Sequence, residues 1–343
     1  MKTIIVNNPA AKESGALTIL KNFLETIYNS KCNNKFYIFV SLEELKKFEK
    51  ENIKIIIIEK QSFKQRIFWD NYGLKKYLKI NEIEANLFLS IQNTGVNLPK
   101  NIPQLLYFHQ AIPLSEKKWN FFKKEEQKYW FYKNIYPFFI KQYLNRVEKV
   151  IVQTQWVKEG FSKKFNYLID NILLDKPLIK IPDIKKIDII SKNKYRIFYP
   201  ATPLIYKNHK VIIESLGELK KEIENLDEKV ECIFTFSEGE NLELDKLIKK
   251  YQLGNIVKLI GKIPYERVLS YYKSSDLMIF SSYIETLGLP LIEAQYFSLE
   301  IFAIGLPYAR EILRDYCQVQ FFYKKAELKE KIVLKIRKKG IKC

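Results

Sequence analysis

Histidine is nearly absent from this chain. Only His109 and His209 occur in 343 residues, which excludes a metal centre built mainly from imidazoles. Cysteine is scarce too: Cys32, Cys232, Cys317 and Cys343 are scattered, with no Cys-x-x-Cys pair. That pattern argues against a disulfide framework and fits a reduced, cytoplasmic chain. No apolar run reaches the roughly 18 residues needed to cross a bilayer as a helix. The opening MKTIIVNNPAAKESG has too short an apolar run for a secretory leader and reads as a first core strand. Acidic residues are the minority, 39 against 58 Lys and Arg, for a formal charge of +19. Such an excess suits nucleic acid, anionic lipid or anionic small molecules. The lysines are spread along the whole chain among Ile and Asn, so a general bias serving solubility explains them equally well.

What is present in quantity is apolar sequence, 47% of the chain, enough for a sizeable core and about two domains. It comes in short runs: KTIIVNN, KFYIFVS, IKIIIIEK, NLFLSIQ, QLLYFHQ and KVIVQTQW. Each has the length and β-branched content of a buried strand. Amphipathic stretches such as ALTILKNFLETIYNS lie between several of them. After a Lys- and Asp-rich stretch the rhythm restarts, with strands in YRIFYPA, VECIFTFS, IVKLIG, DLMIFSS and a final EIFAIG, and helices between. This alternation predicts an α/β fold of two doubly wound, Rossmann-like domains facing across a cleft. The expected bounds are 1–170, a linker over 171–194 containing DKPLIKIPDIKKID, and 195–343. Ligands in such sheets bind beyond the carboxyl ends of the strands, so the turns there carry the functional candidates.

SSYIETLGLPLIEAQ follows the strand in DLMIFSS. It holds Glu285 and Glu293, with Gly288 and Pro290 at the start of the next helix. A Pro-led helix start offers free N–H groups and a favourable dipole to an anion, and Gly288 admits a close backbone approach. Carboxylates accept two hydroxyls well. The plainer alternatives stay open on spacing alone: a helix-start charge at Glu285 and a solvated Glu293. In YPATPLIYKNHK, Lys207 precedes a helix where it can reach phosphate, with Asn208 as an expected N-cap; an ordinary surface Lys is the alternative. His109, in YFHQAIP, ends a strand, as either a hydrogen-bonded structural residue or a reacting group. Gly15, in KESGALTIL, opens the first helix, as a tight turn or as room for a ligand.

Together these turns resemble the retaining family 4 glycosyltransferases of the GT-B fold. The carrying stretch, Glu285-Thr-Leu-Gly288-Leu-Pro-Leu-Ile-Glu293, is similar to that family's Glu-x7-Glu signature. YPATPLIYKNH, LIGKIPYERVLSYYKSSDLMIFSS and ESGALTIL add to it. LSIQN, LLYFHQAIP and VIVQTQW are similar to segments of members that build bacterial surface polysaccharides. The resemblance implies transfer of a sugar from a nucleotide-diphosphate donor to a growing surface glycan, free or linked to polyprenyl diphosphate. It implies Glu285 at the sugar hydroxyls and the backbone of Thr286, Leu287 and Gly288 near sugar and phosphate. It likewise implies Glu293 at the ribose, Lys207 at the leaving diphosphate and Ile263 at the base. His109 falls at the reacting face and Gly15 beside sugar or pyrophosphate, with Gln110, Thr154 and Gln155 on the acceptor side. No metal and no cofactor is expected. Ala201 stands where the family commonly has an Arg, Leu287 where it has Phe, and Ser298-Leu-Glu300 where it has Gly-x-Pro.

Residues 117–146, KKWNFFKKEEQKYWFYKNIYPFFIKQYLNR, interleave Trp119, Trp130, Phe138 and other aromatics with Lys. The expectation is a helix broken at Pro137. It is either a core pair with a wet Lys face or a peripheral surface for the anionic inner face of the cytoplasmic membrane. Nucleic acid is not an expected partner, since no recognised binding motif accompanies the charge. The alternative to an enzyme is a non-catalytic basic protein on the same fold that binds membranes or polyanions.

Overall fold

The computed structural model describes residues 1–11, 14–59, 62–175, 181–226 and 229–340. The chain divides into two compact units, Met1–Pro177 and Leu178–Cys343. Residues 176–180 of the expected linker, Lys12 and Glu13 of the Gly15 turn, and the last three residues of the Lys-rich tail lie outside the described residues.

The first unit is built on seven parallel strands: β1 (Thr3–Asn7), β2 (Lys35–Val40), β3 (Ile53–Ile57), β4 (Leu87–Ser90), β5 (Gln104–Tyr107), β6 (Val147–Val152) and β7 (Ile172–Leu174). Their order is β3-β2-β1-β4-β5-β6-β7. Adjacent residues such as Ile5 and Val6 are both fully buried, because a parallel sheet is covered on both faces. Val6, Ile38 and Val40 pack on one side with Leu20 and Leu24 of helix Ser14–Asn29. Ile5, Phe39 and Phe88 pack with Trp69, Leu74 and Leu78. β7 corrects the expected linker start: Ile172–Leu174 pairs with Val150–Val152 and belongs to the sheet.

The second unit has six parallel strands, β8 (Tyr195–Tyr199), β9 (Val230–Phe234), β10 (Val257–Leu259), β11 (Leu277–Phe280), β12 (Glu300–Ile304) and β13 (Val319–Phe322), ordered β10-β9-β8-β11-β12-β13. This is the doubly wound 3-2-1-4-5-6 order, whose direction reverses between its first and fourth strands. EIFAIG is therefore not the last strand; β13 pairs beyond it. The basic tail continues as helix Lys325–Gly340.

The 117–146 stretch is not one broken helix. Residues 117–120 have no regular structure and 121–126 form turns, helix Gln127–Asn134 follows, and helix Tyr136–Gln142 begins with Pro137 in its first turn. The break falls at Ile135, just ahead of the proline, where a ring that clashes with a preceding turn is harmless. Trp119, Tyr136 and Ile140 are core, while Phe121, Phe122 and Phe138 are exposed. No described helix is long and apolar enough to cross a membrane.

Candidate active site

The reversal point of the second sheet lies between β8 and β11, which pair directly. The loops leaving their carboxyl ends carry Lys207 and Glu285. Lys207 sits in the short turn Ile205–Lys207, and its Nζ donates to Glu285 Oε1 at 2.5 Å. Both side chains are largely shielded from water, 15% and 14% exposed, so this contact is stronger than a surface pair.

The backbone under the pair is cross-tied. Tyr283 N donates to Tyr206 O at 2.7 Å. The Ser281 hydroxyl donates to the carbonyls of Lys207 and Asn208 at 3.1 and 3.0 Å. The Tyr199 hydroxyl caps the Lys207 carbonyl at 2.8 Å, and the Tyr308 hydroxyl donates to the Ser282 carbonyl. Burial, then the Glu285 charge, pushes the Tyr206 hydroxyl well above its ordinary range, so it stays protonated as a donor. Asn208 holds the N-cap position expected of it, but in a left-handed backbone (φ 55°) and without a capping hydrogen bond.

His209 opens the following helix, buried between Tyr199, Phe234 and Phe236 at ring separations of 4.7, 5.0 and 5.1 Å. Burial, with the neighbouring Lys207 charge, lowers its pKa to about 3. It is a neutral ring that packs.

Glu285 leads through half-buried Thr286 and buried Leu287 to Gly288, which has φ +63° at the N-cap of helix Leu289–Tyr296. A left-handed backbone there costs a residue with a Cβ about 1–2 kcal/mol. That Cβ would also meet Ile312 Cδ1 at 3.4 Å. Pro290 falls in the first helical turn, where its missing donor is not needed. Glu293, one turn on, is not the solvated charge that spacing alone allowed: it is 8% exposed. The Tyr265 hydroxyl donates to its Oε1 at 3.0 Å. Burial raises its pKa above the usual carboxylate value, against that hydrogen bond. Tyr265 begins the helix entered from Ile263, so the base-side and ribose-side expectations fall on neighbouring groups.

The first-unit candidates all follow carboxyl ends of strands. His109 N donates to Asn93 Oδ1 at 2.7 Å, and its Nε2 faces the Ile91 carbonyl at 3.0 Å. A carbonyl only accepts, and burial lowers the ring's pKa. The neutral ring therefore carries its proton on Nε2 and leaves Nδ1 as an acceptor. Gly15 is exposed in the first turn of its helix, with nothing within 4 Å of an added Cβ. The Gln110 side chain accepts from Ile112 N at 3.3 Å. Thr154 is the buried N-cap of helix Gln155–Phe165, and Gln155 Nε2 donates to Glu159 at 2.7 Å. Sequence reasoning passed over Ser281, Ser282, Tyr199, Tyr206 and Tyr265. Two serines and a tyrosine directly after a buried strand were the available signal.

Residues 180–338 match the family model of glycosyl transferases group 1. A curated relative, an uncharacterized glycosyltransferase (MJ1069) of Methanocaldococcus jannaschii, is 31% identical over 130 residues, 34% of this chain and 32% of the relative. The amylovoran biosynthesis glycosyltransferase AmsD of Erwinia amylovora is 26% identical over 174 residues, 49% of this chain and 46% of AmsD. The chain thus spans a third to about half the length of these relatives. Among solved structures, Anabaena HepE in complex with UDP and glucose is similar with a TM-score of 0.65 at 14% identity, over 99% of this chain and 91% of that one. That likeness shows the GT-B fold class of two parallel-sheet Rossmann-like units. Lys207, Ile263, Glu285 and Glu293 fall inside the matched segment and His109 and Gly15 outside it, so it is the second unit that is similar to the group 1 glycosyl transferases.

Proposed function

We propose that this chain is a retaining glycosyltransferase that moves a sugar from a nucleotide-diphosphate donor to a growing bacterial surface glycan. The observation that carries the reading is the Lys207–Glu285 contact at the β8/β11 reversal point. A cation and a carboxylate, both shielded, stand where a doubly wound sheet binds ligands. The family match over the second unit supports it. So do the names of the similar proteins: HepE was crystallised with UDP and glucose, and AmsD acts in amylovoran biosynthesis.

In this reading Lys207 exchanges Glu285 for the donor diphosphate, and Glu285 turns to the sugar hydroxyls. The helix start at Gly288 faces the phosphates, and Glu293 with Tyr265 takes the ribose. The acceptor hydroxyl attacks the anomeric carbon on the face the diphosphate leaves. The new C–O bond forms as the old one breaks, and the proton passes to the departing phosphate oxygen. No protein nucleophile is needed. Lys207 and the helix dipole stabilise the charge that develops, the role a divalent cation plays elsewhere. In the first unit, His109 Nδ1 is available to accept from a ligand hydroxyl.

Calorimetric titration with UDP, GDP and dTDP tests the reading, and no saturable binding of any of them overturns it. That outcome would favour a non-catalytic basic protein on the same fold. Glu293→Ala is expected to weaken nucleotide binding roughly tenfold or more, the worth of one or two charge-assisted hydrogen bonds. Wild-type affinity in that variant would remove Glu293 from the ribose site.

The acceptor is read as a glycan, free or carried on polyprenyl diphosphate at the cytoplasmic face of the membrane. Exposed Phe121, Phe122 and Phe138 stand among exposed Lys123, Lys124, Lys128 and Lys141, an arrangement suited to anionic headgroups. Co-sedimentation with liposomes is expected to rise with anionic lipid content. Binding indifferent to lipid charge would leave these side chains without a membrane role.

A further inference from the structure

At the carboxyl edge of the first sheet, the loop after β4, residues 91–94, is gripped from two sides. On one side stands His109: its backbone N–H donates to Asn93 Oδ1, and its ring faces the Ile91 carbonyl. On the other stands Asp70, 7% exposed on the π-helical turn Trp69–Gly73. Gln92 Nε2 donates to Asp70 Oδ1 at 2.8 Å, and Thr94 Oγ1 donates to Oδ2 at 3.0 Å. Asn7, at the end of β1, adds a third donor at 3.4 Å. Residues 91 and 93 thus serve His109 while 92 and 94 serve Asp70, and Asn93 has a left-handed backbone (φ 70°).

The grip is reinforced. The Tyr136 hydroxyl donates to the Gln92 carbonyl at 3.2 Å, and Arg66 donates to the Tyr136 hydroxyl at 3.1 Å. Trp69 Nε1 donates to Asn7 Oδ1 at 3.0 Å. Among the described residues no cation pairs directly with Asp70. Turns of π-helix commonly mark functional positions, and a buried carboxylate held only by neutral donors is costly unless its geometry is used.

We infer that Asp70 is a positioning residue for His109, acting through the Ile91–Thr94 loop. The network needs an acceptor for Gln92 and Asn7 and a partner for Thr94; it does not need a charge. Burial raises the Asp70 pKa to about 7, against Arg66 and the three donors. An Asn in its place presents one oxygen to Gln92 and Asn7 and an amide to the Thr94 hydroxyl. An Ala leaves three buried polar groups without their partner.

The chain's two histidines make a direct test possible. Selective 13C/15N labelling gives one imidazole signal set for His109 and one for His209, the latter an internal control buried in another unit. In wild type the His109 signals should report a neutral ring protonated on Nε2. In Asp70→Ala they should shift toward mixed tautomers, with the titration moving up toward an ordinary histidine, while His209 stays unchanged. Asp70→Asn should restore the wild-type pattern. Thr94→Val, which removes a single donor, should give a smaller shift in the same direction and stands in if Asp70→Ala does not fold. Wild-type His109 signals in folded Asp70→Ala, or in Thr94→Val if that variant alone folds, overturn the inference. So does an Asp70→Asn variant as perturbed as the Ala variant. The spectroscopic arm does not depend on the proposed function. The activity arm rests on it: Asp70→Ala should lower kcat roughly 10- to 100-fold with donor KM little changed, as expected for a displaced reacting-face group, and Asp70→Asn should recover most of that loss.

Discussion

Glu285→Gln is expected to lower turnover by roughly 10²–10³-fold while nucleotide affinity stays within a few-fold of wild type, the scale seen when one preorganised electrostatic group is removed from a reacting site. The amide keeps the shape of the carboxylate, so the loop tied through Ser281, Ser282 and Tyr283 should hold. Two things are lost: a charge beside the sugar and a second strong acceptor for its hydroxyls. Lys207 survives the change. Under the proposed function, it leaves a 2.5 Å ion pair in wild type before it meets a diphosphate; in the variant it has only an amide to leave. Nucleotide binding should therefore be unchanged or slightly tighter even as transfer collapses. Transfer kinetics and calorimetry on one preparation separate the two. Loss of nucleotide binding in parallel with turnover would show that Glu285 holds the Lys207 loop in place and does no more.

The second large effect is on stability and lies at the other end of the same strand. Arg196 is 5% exposed in β8. Its Nε donates to Glu231 at 2.6 Å across the β8/β9 register, and its guanidinium reaches the carbonyls of Ile190, Ser191 and Ser274. Arg196→Ala strands Glu231, 13% exposed, and frees three carbonyls. The expected loss is about 3–5 kcal/mol, read as a lower urea midpoint for the second unit. Replacing Arg196 with Met and Glu231 with Leu together should recover much of it, because breaking a buried pair costs more than deleting both members. Nucleotide affinity of the folded Arg196 variant should be unaffected, since the loops that carry Lys207 and Glu285 leave the opposite, carboxyl end of the sheet.

Most strands were legible because a sheet covered on both faces demands short runs such as TIIV and LMIF. β7 and β13 were not. Ile172–Leu174 is three residues long with two of them exposed, and Val319–Phe322 is a short run that leads straight into the Lys-rich tail. These two edge strands carry too weak an apolar pattern to stand out, unlike β3 and β10 at the opposite edges, whose runs IKIIII and IVKLIG are plain. The same logic applies to the site. The Glu285 to Glu293 spacing is local and could be read directly. The Lys207–Glu285 contact joins residues 78 positions apart and exists only because β8 and β11 pair. The Tyr265–Glu293 bond depends likewise on how two helices pack, and the Asp70 network on three separate segments meeting. None of these has a period or a motif. In 117–146 the composition was plain, but which aromatics turn inward was not: Trp119 and Tyr136 are core and Phe122 is bare, a choice made by tertiary packing.

The cross-tied loops after β8 and β11 bear on the thermodynamics of recognition. Lys207 and Glu285 hold one another, the Lys207 carbonyl is pinned by Tyr199 and Ser281, and the two loops are tied by Tyr283 N to Tyr206 O. Long charged side chains normally forfeit about 1.5–2 kcal/mol of rotamer freedom when they are fixed. Here that conformational entropy is given up when the chain folds, so little remains to be lost when a ligand arrives. A ligand that swaps into the pair meets side chains already near a single rotamer, and its affinity should reflect the contacts it makes more than the disorder it must suppress.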